Sequence, residues 1–409
     1  MTTTSSRLRP SFLLIALVLA ATACGSDDDG DSSGGANTTV ATETLVATET
    51  TAATDTTAAT DTTAATETTA GSGGAAGRCG DPALLGSSLN FLNWADYIDE
   101  AVLQMFEDEC GVSVTMDTHT ANEEAIAKVQ AGDSGYSLVI VTDYAVGIMA
   151  AQGQLQELDM AEIPNVANID PGQMDLYYDE GNVYSLPYQY STTGMAYDVT
   201  ALDEAPTSWD ALYAGNEFCG QSSLLEDQRE TVGSALAYLG FDWNETDPAA
   251  HEAALEALLA ARDCISAFDS ANFIGNLASG EVLIAQSWGF AAGIAYLDNP
   301  NVRYVIPAEG GIIWQDNFVI PADAPDAYTA HVFINYMLEA DIGALITEFT
   351  LAYTPNTLVP PLLSDDYAAV IEGAGLELTD EVRQRLVFQE RGEEHSIFAD
   401  TWGEVVAAG

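Results

Sequence analysis

From Ser88 onward, short apolar segments alternate with amphipathic ones, and this alternation limits the fold more than any other feature of the chain. The first half contains, in this order, "LNFLNW", "DEAVLQMFEDEC", "VSVTM", "EEAIAKVQAG", "SLVIVT" and "DYAVGIMAAQG". The second half has the same alternation in "SSLLED", "RETVGSALAYLG", "EVLIAQSW" and "GFAAGIAYL". Strands that alternate with helices predict βα units on a mainly parallel sheet, an α/β fold. A chain of 409 residues is long enough for two domains or lobes.

The amino terminus has the features of an export signal. Arg7 and Arg9 precede the apolar run "SFLLIALVLA", and small residues follow as far as Cys24. The segment resembles a lipoprotein signal peptide over residues 1–24, in which Cys24 is lipidated and becomes the mature amino terminus. The alternative is a plain secretory signal that is cleaved nearby.

Residues 25–78 have a different composition from the rest of the chain. An imperfect repeat of Thr, Ala and acid, "TETTAATDTTAATDTTAATETTAGSGGAAG", contains almost no bulky apolar side chain. Such a segment cannot bury enough surface to offset its chain entropy. We therefore expect a disordered tether between the membrane and the folded part.

The chain is strongly acidic, with 63 Asp and Glu against 10 Lys and Arg and a formal net charge of -53. Lys128 is its only lysine. This balance argues against nucleic acid or an anionic membrane surface as a partner. It suits a cationic ligand, and it is also what adaptation to a salty exterior produces, so both interpretations stay open.

Cysteine and histidine give no indication of a metal or a cofactor. No two cysteines have C-x-x-C spacing, and in an oxidising compartment the four that follow Cys24 predict two disulfides with three possible pairings, among Cys79, Cys110, Cys219 and Cys264. The histidines are scattered without ligand spacing, at His119, His251, His331 and His395.

Aromatic and acidic residues recur where strands end. In open α/β sheets, ligands bind beyond the carboxyl ends of the strands. The candidate strand ends are "NWADY" (93–97), "VTDY" (141–144), "LLEDQRE" (224–230), "SWGF" (287–290) and "IIWQDN" (312–317). Each has an ordinary alternative, since a strand-end Trp commonly packs in the core and Asp96, Asp143 and Asp227 could be helix N-caps. Glu230 could equally be a solvated residue of a first helical turn.

The pair Trp314 and Asp316 is the most specific of these signals. Residues two apart on a strand face the same side, so this strand presents an aromatic ring and a negative charge to one neighbour. A cation is the neighbour that suits both groups.

Several of these motifs, in this order, resemble the periplasmic spermidine/putrescine-binding proteins, the solute receptors of polyamine ABC importers. They include "NWADY", "YSLPYQYSTTGMAYD", "SWDALY", "LLEDQRETVGSALAYLGFDWNETDP", "GGIIWQDNFVIP", "YTPN" and "VFQE", and the resemblance spans residues 88 to 400. It implies a two-lobed, hinged periplasmic-binding-protein fold in which each lobe is a mixed sheet flanked by helices. The lobes would comprise residues 79–191 with 315–361 and residues 192–314 with 362–409, the chain crossing between them more than once.

The resemblance also implies a disulfide pairing and a ligand site. Each disulfide would lie within one lobe, as Cys79–Cys110 and Cys219–Cys264. The ligand-binding residues implied by the motifs are Trp94, Asp96, Tyr97, Thr142, Tyr144, Asp227, Glu230, Trp288, Trp314, Asp316 and Gln389. Three departures bear on ligand length: Ala95 replaces a hydroxyl residue, Asp96 replaces a longer acid, and Tyr353 lies one place late.

The function implied is that of an exported receptor, anchored by lipid and monomeric, which delivers spermidine or putrescine to an ABC permease without a cofactor. The choice between these two ligands stays open, and the alternative is a receptor of the same fold for another organic cation or small amine. An enzyme is disfavoured because Asp227 and Glu230 lie three residues apart at one helix start instead of flanking a bond. The chain also has no G-x-S-x-G or H-E-x-x-H motif.

Overall fold

A computed structural model describes residues 75–202, 204–214, 217–390 and 392–408. The expected signal peptide, the lipidation site Cys24 and residues 25–74 of the expected tether lie outside this part. Within it, the strands are Ser88–Trp94 (β1), Ser113–His119 (β2), Leu138–Thr142 (β3), Ser185–Asp198 (β4), Ser222–Leu224 (β5), Ala267–Phe268 (β6), Ile284–Trp288 (β7), Val302–Val305 (β8), Gly311–Val319 (β9) and Leu386–Val387 (β10).

The helices match the predicted amphipathic segments and add several others. They are Ala75–Arg78 (α1), Glu100–Cys110 (α2), Asn122–Gln130 (α3), Asp143–Ala151 (α4), Asp210–Tyr213 (α5), Gln228–Tyr238 (α6), Pro248–Arg262 (α7), Phe273–Ser279 (α8), Gly289–Asp298 (α9), Ala327–Met337 (α10), Ala340–Thr350 (α11), Asp365–Ala374 (α12), Asp380–Arg383 (α13) and Ile397–Ala407 (α14). Short 3-10 helices occupy Met160–Glu162, Pro164–Asn168, Pro171–Gln173, Pro360–Leu362 and Glu393–Ser396. None of the described helices combines the length and apolar character that crossing a membrane requires.

The strands form a mixed sheet in the order β2-β1-β3-β9-β4-β7-β5-β6, with β10 beside β9 and β8 beside β4. Strand β1 is parallel to β2 and β3, and β5 is parallel to β6 and β7, as the βα pattern predicts. The central strands β4 and β9 run antiparallel to each other, and to β7 and β3 respectively. The expectation of a mainly parallel sheet therefore holds on either side and fails in the middle.

Strands β4 and β9 join the two sets of parallel strands. Residues Ser185–Thr193 of β4 pair with Ile312–Val319 of β9, and Thr193–Asp198 pair with β7 and β8. This α/β arrangement, in which two central strands connect two sets of outer strands, agrees with the expected two-lobed fold. The exact lobe boundaries stay a prediction.

Aromatic packing holds the outer strand β1 against its helices, and two disulfides crosslink the chain. On one side, Phe91 of β1, Phe106 of α2 and Phe333 of α10 pack edge to face, with ring centroids 4.8 to 5.5 Å apart. Such burial of aromatic side chains is a main source of stability. The predicted disulfides are both present, as Cys79–Cys110 and Cys219–Cys264.

Candidate ligand-binding site

The first acidic centre of the site is Asp316, which lies on β9 opposite Thr142 of β3. Its side chain is 3% exposed, and the Thr142 hydroxyl donates a hydrogen bond of 2.7 Å to Oδ1. The Tyr97 and Trp94 side chains also face this carboxylate and lower its pKa, although neither forms a hydrogen bond of standard geometry. Burial dominates and raises the pKa of Asp316 to about 6.

A buried amide connects this centre to α3. Asn122 donates hydrogen bonds of 3.0 Å to the hydroxyls of both Thr142 and Tyr144, and its Oδ1 accepts from the Thr142 backbone. Tyr144 in turn donates to Glu123. The structure thus brings Thr142 and Tyr144 together as predicted, through a residue that was not predicted.

The second acidic centre is Glu230, in the first turn of α6. The side chain is 5% exposed and accepts a hydrogen bond of 3.0 Å from the Thr193 hydroxyl on β4. Its other oxygen is buried and has no hydrogen-bond partner within the part of the chain that the structure describes. Burial, followed by repulsion from Asp227, raises the pKa of Glu230 to about 8, against smaller opposing effects of Thr193 and Trp288. Glu230 is therefore not the solvated residue that the alternative interpretation expected.

Aromatic rings occupy the space between the two acids. Phe290 of α9 lies 6.0 Å from the ring of Trp288, 6.0 Å from that of Trp314 and 6.2 Å from that of Tyr97. The Trp314 indole N–H is buried without a described partner. The predicted aromatic residues from three strand ends therefore meet around one unpredicted ring.

The strand register gives the spacing along β9 of the two positions that hold the acids. Asp316 lies on β9, and Thr193, which holds Glu230, pairs with Ile312 on the same strand. Four residues of strand span about 13 Å. Within the described ranges, the ion pairs are Arg78 with Glu109 and Asp341, and Lys128 with Glu124, so neither acid of the site belongs to one. Tyr97 faces Asp316, Trp288 faces Glu230, and both rings contact Phe290, so one row of aromatic rings, named the groove below, links the two buried carboxylates.

Comparison with known proteins identifies the family to which this chain belongs. The model of the bacterial extracellular solute-binding protein family matches residues 101–370. The chain belongs to this family. Its members are solute-binding receptors.

Individual relatives of this solute-binding protein cover most of its length. A putrescine/cadaverine-binding protein of Pseudomonas aeruginosa is 32% identical over 300 residues, which are 69% of this chain and 84% of the relative. The spermidine/putrescine-binding periplasmic protein of Escherichia coli is 34% identical over 285 residues, 69% and 81% of the two chains. A solved structure described as a putative spermidine/putrescine ABC transporter from Listeria monocytogenes superposes with a TM-score of 0.73 at 29% identity, covering 79% of this chain and all of that one.

Two other predicted residues of the solute-binding protein, Asp96 and Asp227, differ from the acidic centres in their position or in their role. Asp96 is exposed in a left-handed turn conformation with φ of 53°, and it is not an N-cap, because Asp99 caps α2. Asp227 does cap α6, accepting from the backbone of Arg229 and Glu230, and it acts on the site through its charge. The contribution of both to ligand binding stays a prediction.

Gln389 and Tyr353 lie on loops of the carboxyl-terminal part. Gln389 is buried, and its backbone oxygen accepts a hydrogen bond of 2.5 Å from the Tyr177 hydroxyl. The Tyr353 hydroxyl donates to the backbone of Leu376, and its ring lies 5.2 Å from that of Tyr190. Tyr353 and Thr192 also line a cavity of about 100 Å³, and neither Asp316 nor Glu230 is among the residues that line it. Its place beside this cavity gives no support for ligand contact.

Sequence reasoning missed Asn122, Thr193 and Phe290. Phe290 is the last residue of the strand-end motif "SWGF", and Thr193 lies within the motif "YSTTGMAYD", so both were inside quoted motifs. Asn122 begins the helix that follows β2, a strand end that carried no aromatic residue or acid in the pattern. Only the packing of the sheet shows that Thr193 reaches Glu230 and that Asn122 and Phe290 contact residues beside the acids.

Proposed function

We propose that this solute-binding protein holds a linear polyamine, putrescine or spermidine, between Asp316 and Glu230. The observation that carries the proposal is the pair of buried carboxylates that lack a cationic partner among the described residues. A buried ionised carboxylate is costly unless it is paired. A ligand with separated ammonium groups supplies that pairing at both ends.

The aromatic rings between the acids suit the rest of such a ligand. Methylenes pack on ring faces, and an ammonium over an aromatic ring gains about 0.5 to 2 kcal/mol. Each charge-assisted hydrogen bond to a carboxylate contributes about 1.5 to 3 kcal/mol. A neutral sugar or an anion would leave both carboxylates buried without a counter-charge, so the site discriminates against these classes.

The relatives support this substrate class and a role in import. Proteins that share about a third of their residues with this chain are named for putrescine, cadaverine and spermidine. We propose that the chain delivers its ligand to an ABC permease and performs no chemistry itself. It would be exported, held to the outer face of the membrane by a lipid on Cys24, and act as a monomer.

Capture would involve closure of the two proposed lobes. The acids reach the groove from different sets of strands, Asp316 beside β3 and Glu230 on α6 after β5, and strands β4 and β9 connect these sets. In a hinged receptor, ligand contacts from both lobes favour the closed form. The residues predicted to contribute from each lobe, with Trp94, Asp96, Tyr144, Asp227 and Gln389 among them, would then surround the ligand.

A receptor for another organic cation or small amine is the second candidate. One monoamine needs one carboxylate, whereas this groove offers two. Their supports on β9, Asp316 itself and the Ile312 partner of Thr193, are about 13 Å apart along the strand. The spacing therefore favours a ligand with at least two amino groups.

Calorimetric titration of the purified protein with spermidine, putrescine and a neutral sugar tests the proposal. We expect affinity on the order of micromolar or tighter for a polyamine and no heat with the sugar. Asp316→Asn should abolish binding, whereas Asp365→Asn, which removes the same charge from an exposed position on α12, should not change it. If neither polyamine binds at low or high salt, the proposed substrate class is wrong.

A further inference from the structure

Phe290 occupies its position because the backbone before it approaches the central strand closely. At Gly289, a Cβ atom would lie 3.2 Å from the Ser191 hydroxyl and 3.3 Å from the Thr192 hydroxyl of β4. A larger residue at position 289 would push the start of α9 away from β4. With glycine there, the next side chain reaches the groove near the middle of the sheet.

The ring of Phe290 contacts both halves of the proposed ligand site. It lies parallel to the Trp288 ring, at an interplanar angle of 5°, and Trp288 lowers the pKa of Glu230. It also contacts Tyr97, which faces Asp316, at an angle of 56°. The edge-to-face contact with Trp314, at 88°, completes an apolar surface between the two acids.

We propose that Phe290 determines which polyamine the site prefers, an inference that rests on the proposed function. Its ring makes the middle of the groove apolar and supplies no acceptor for an ammonium. Burying an ammonium there without a carboxylate costs more than the attraction to aromatic faces returns. The side chain therefore favours a diamine, whose charges lie at its two ends, over a triamine with a charge between them.

The ratio of two dissociation constants tests this inference. Titrations with putrescine, cadaverine and spermidine would be compared between the unchanged protein, Phe290→Ala and Phe290→Leu. We expect Phe290→Ala to admit water around a central ammonium and to lower the spermidine-to-putrescine ratio of dissociation constants by about tenfold, the size of discrimination typical of one apolar pocket contact. Phe290→Leu should shift the ratio in the same direction by a smaller factor.

Phe349→Ala is the matched control, because Phe349 on α11 is 44% exposed and should leave the ratio unchanged. A ratio that stays within about twofold in Phe290→Ala, whatever the absolute affinities, would overturn the inference. If the alanine variant does not fold, as judged by its circular dichroism, an unchanged ratio in Phe290→Leu has the same meaning. Failure of the unchanged protein to bind any polyamine would instead refute the proposed function.

Discussion

Raising the pH should strengthen polyamine binding, because the two acids of the site hold protons in the ligand-free protein. The pKa of Glu230 is raised to about 8 and that of Asp316 to about 6, chiefly by burial. Primary ammonium groups, with a pKa close to the 10.4 or so of lysine, stay charged below pH 9. An ammonium beside each carboxylate favours its ionised form, so binding must expel the protons.

The number of protons released follows from these pKa values. At pH 7, Glu230 is about nine-tenths protonated and Asp316 about one-tenth, so each ligand should release about one proton. At pH 6 the release rises to about 1.5 protons, and at pH 9 it falls to about 0.1. Since the pH slope of the logarithm of affinity equals this number, the affinity should rise about tenfold per pH unit near pH 7 and level off above pH 9.

Calorimetric titrations in buffers that differ in ionisation enthalpy measure the release directly. Glu230→Gln should reduce it at pH 7 from about one proton to about 0.1, because only Asp316 then titrates. Asp365→Asn should leave the release unchanged. A release near zero at pH 7 in the unchanged protein, with affinity constant between pH 6 and 9, would refute the assignment of Glu230 as a buried acid that meets the ligand.

Three further predictions concern stability and the support of the site. The raised pKa of Glu230 means that the folded state holds more protons than the unfolded chain, so the free energy of unfolding should fall as the pH rises from about 4.5 to 8. At pH 9, thermal unfolding should show the Glu230→Gln variant to be more stable than the unchanged ligand-free protein by up to about 5 kcal/mol. Equal melting temperatures at that pH would contradict the buried ionisation of Glu230. Replacing Cys79 and Cys110 with serine should lower the free energy of unfolding by about 3 to 4 kcal/mol in denaturant titrations, because the disulfide closes a loop with a sequence separation of 31 residues. A loss below about 1 kcal/mol would show that the disulfide constrains the unfolded chain little. Asn122→Ala should weaken polyamine binding by roughly threefold to tenfold in calorimetry, since it leaves the Thr142 and Tyr144 hydroxyls without their shared donor. Unchanged affinity would show that this hydrogen-bond network does not hold Thr142 in place beside Asp316.

The sequence predicted the elements of the sheet better than their directions. Segments with clear periodicity, such as Glu100–Cys110 and Leu138–Thr142, form the expected helix and strand. Strand β4 was not predicted as a strand, although Leu186, Tyr188 and Tyr190 alternate with Pro187, Gln189 and Ser191 at its start. All of its 14 residues are buried. It also contains Pro187, where the register shifts, and Gly194, which lets the strand approach Val305. Antiparallel pairing in the centre follows from contacts distant in sequence, which periodicity does not contain.

The acids of the site were easier to predict than their partners. The two-residue spacing of Trp314 and Asp316 predicted that both side chains lie on one face of a strand, and the rule for strand ends indicated the other acids. Their contact with a ligand stays a prediction. The alternative that Asp227 is an N-cap also proved correct, since one carboxylate can cap a helix and act on a neighbour. Phe290 and Thr193 were missed because only the crossing of β4 beside α9 and α6 brings Thr193 to Glu230 and Phe290 to the rings beside the acids.

A crystal structure of the protein with bound spermidine or putrescine would show where the amino groups lie. We expect one amino group of the ligand within hydrogen-bonding distance of Asp316 and another within that distance of Glu230, with methylenes against Trp314 and Phe290. A ligand bound elsewhere, for example in the cavity beside Tyr353, or one that contacts neither carboxylate, would contradict this expectation.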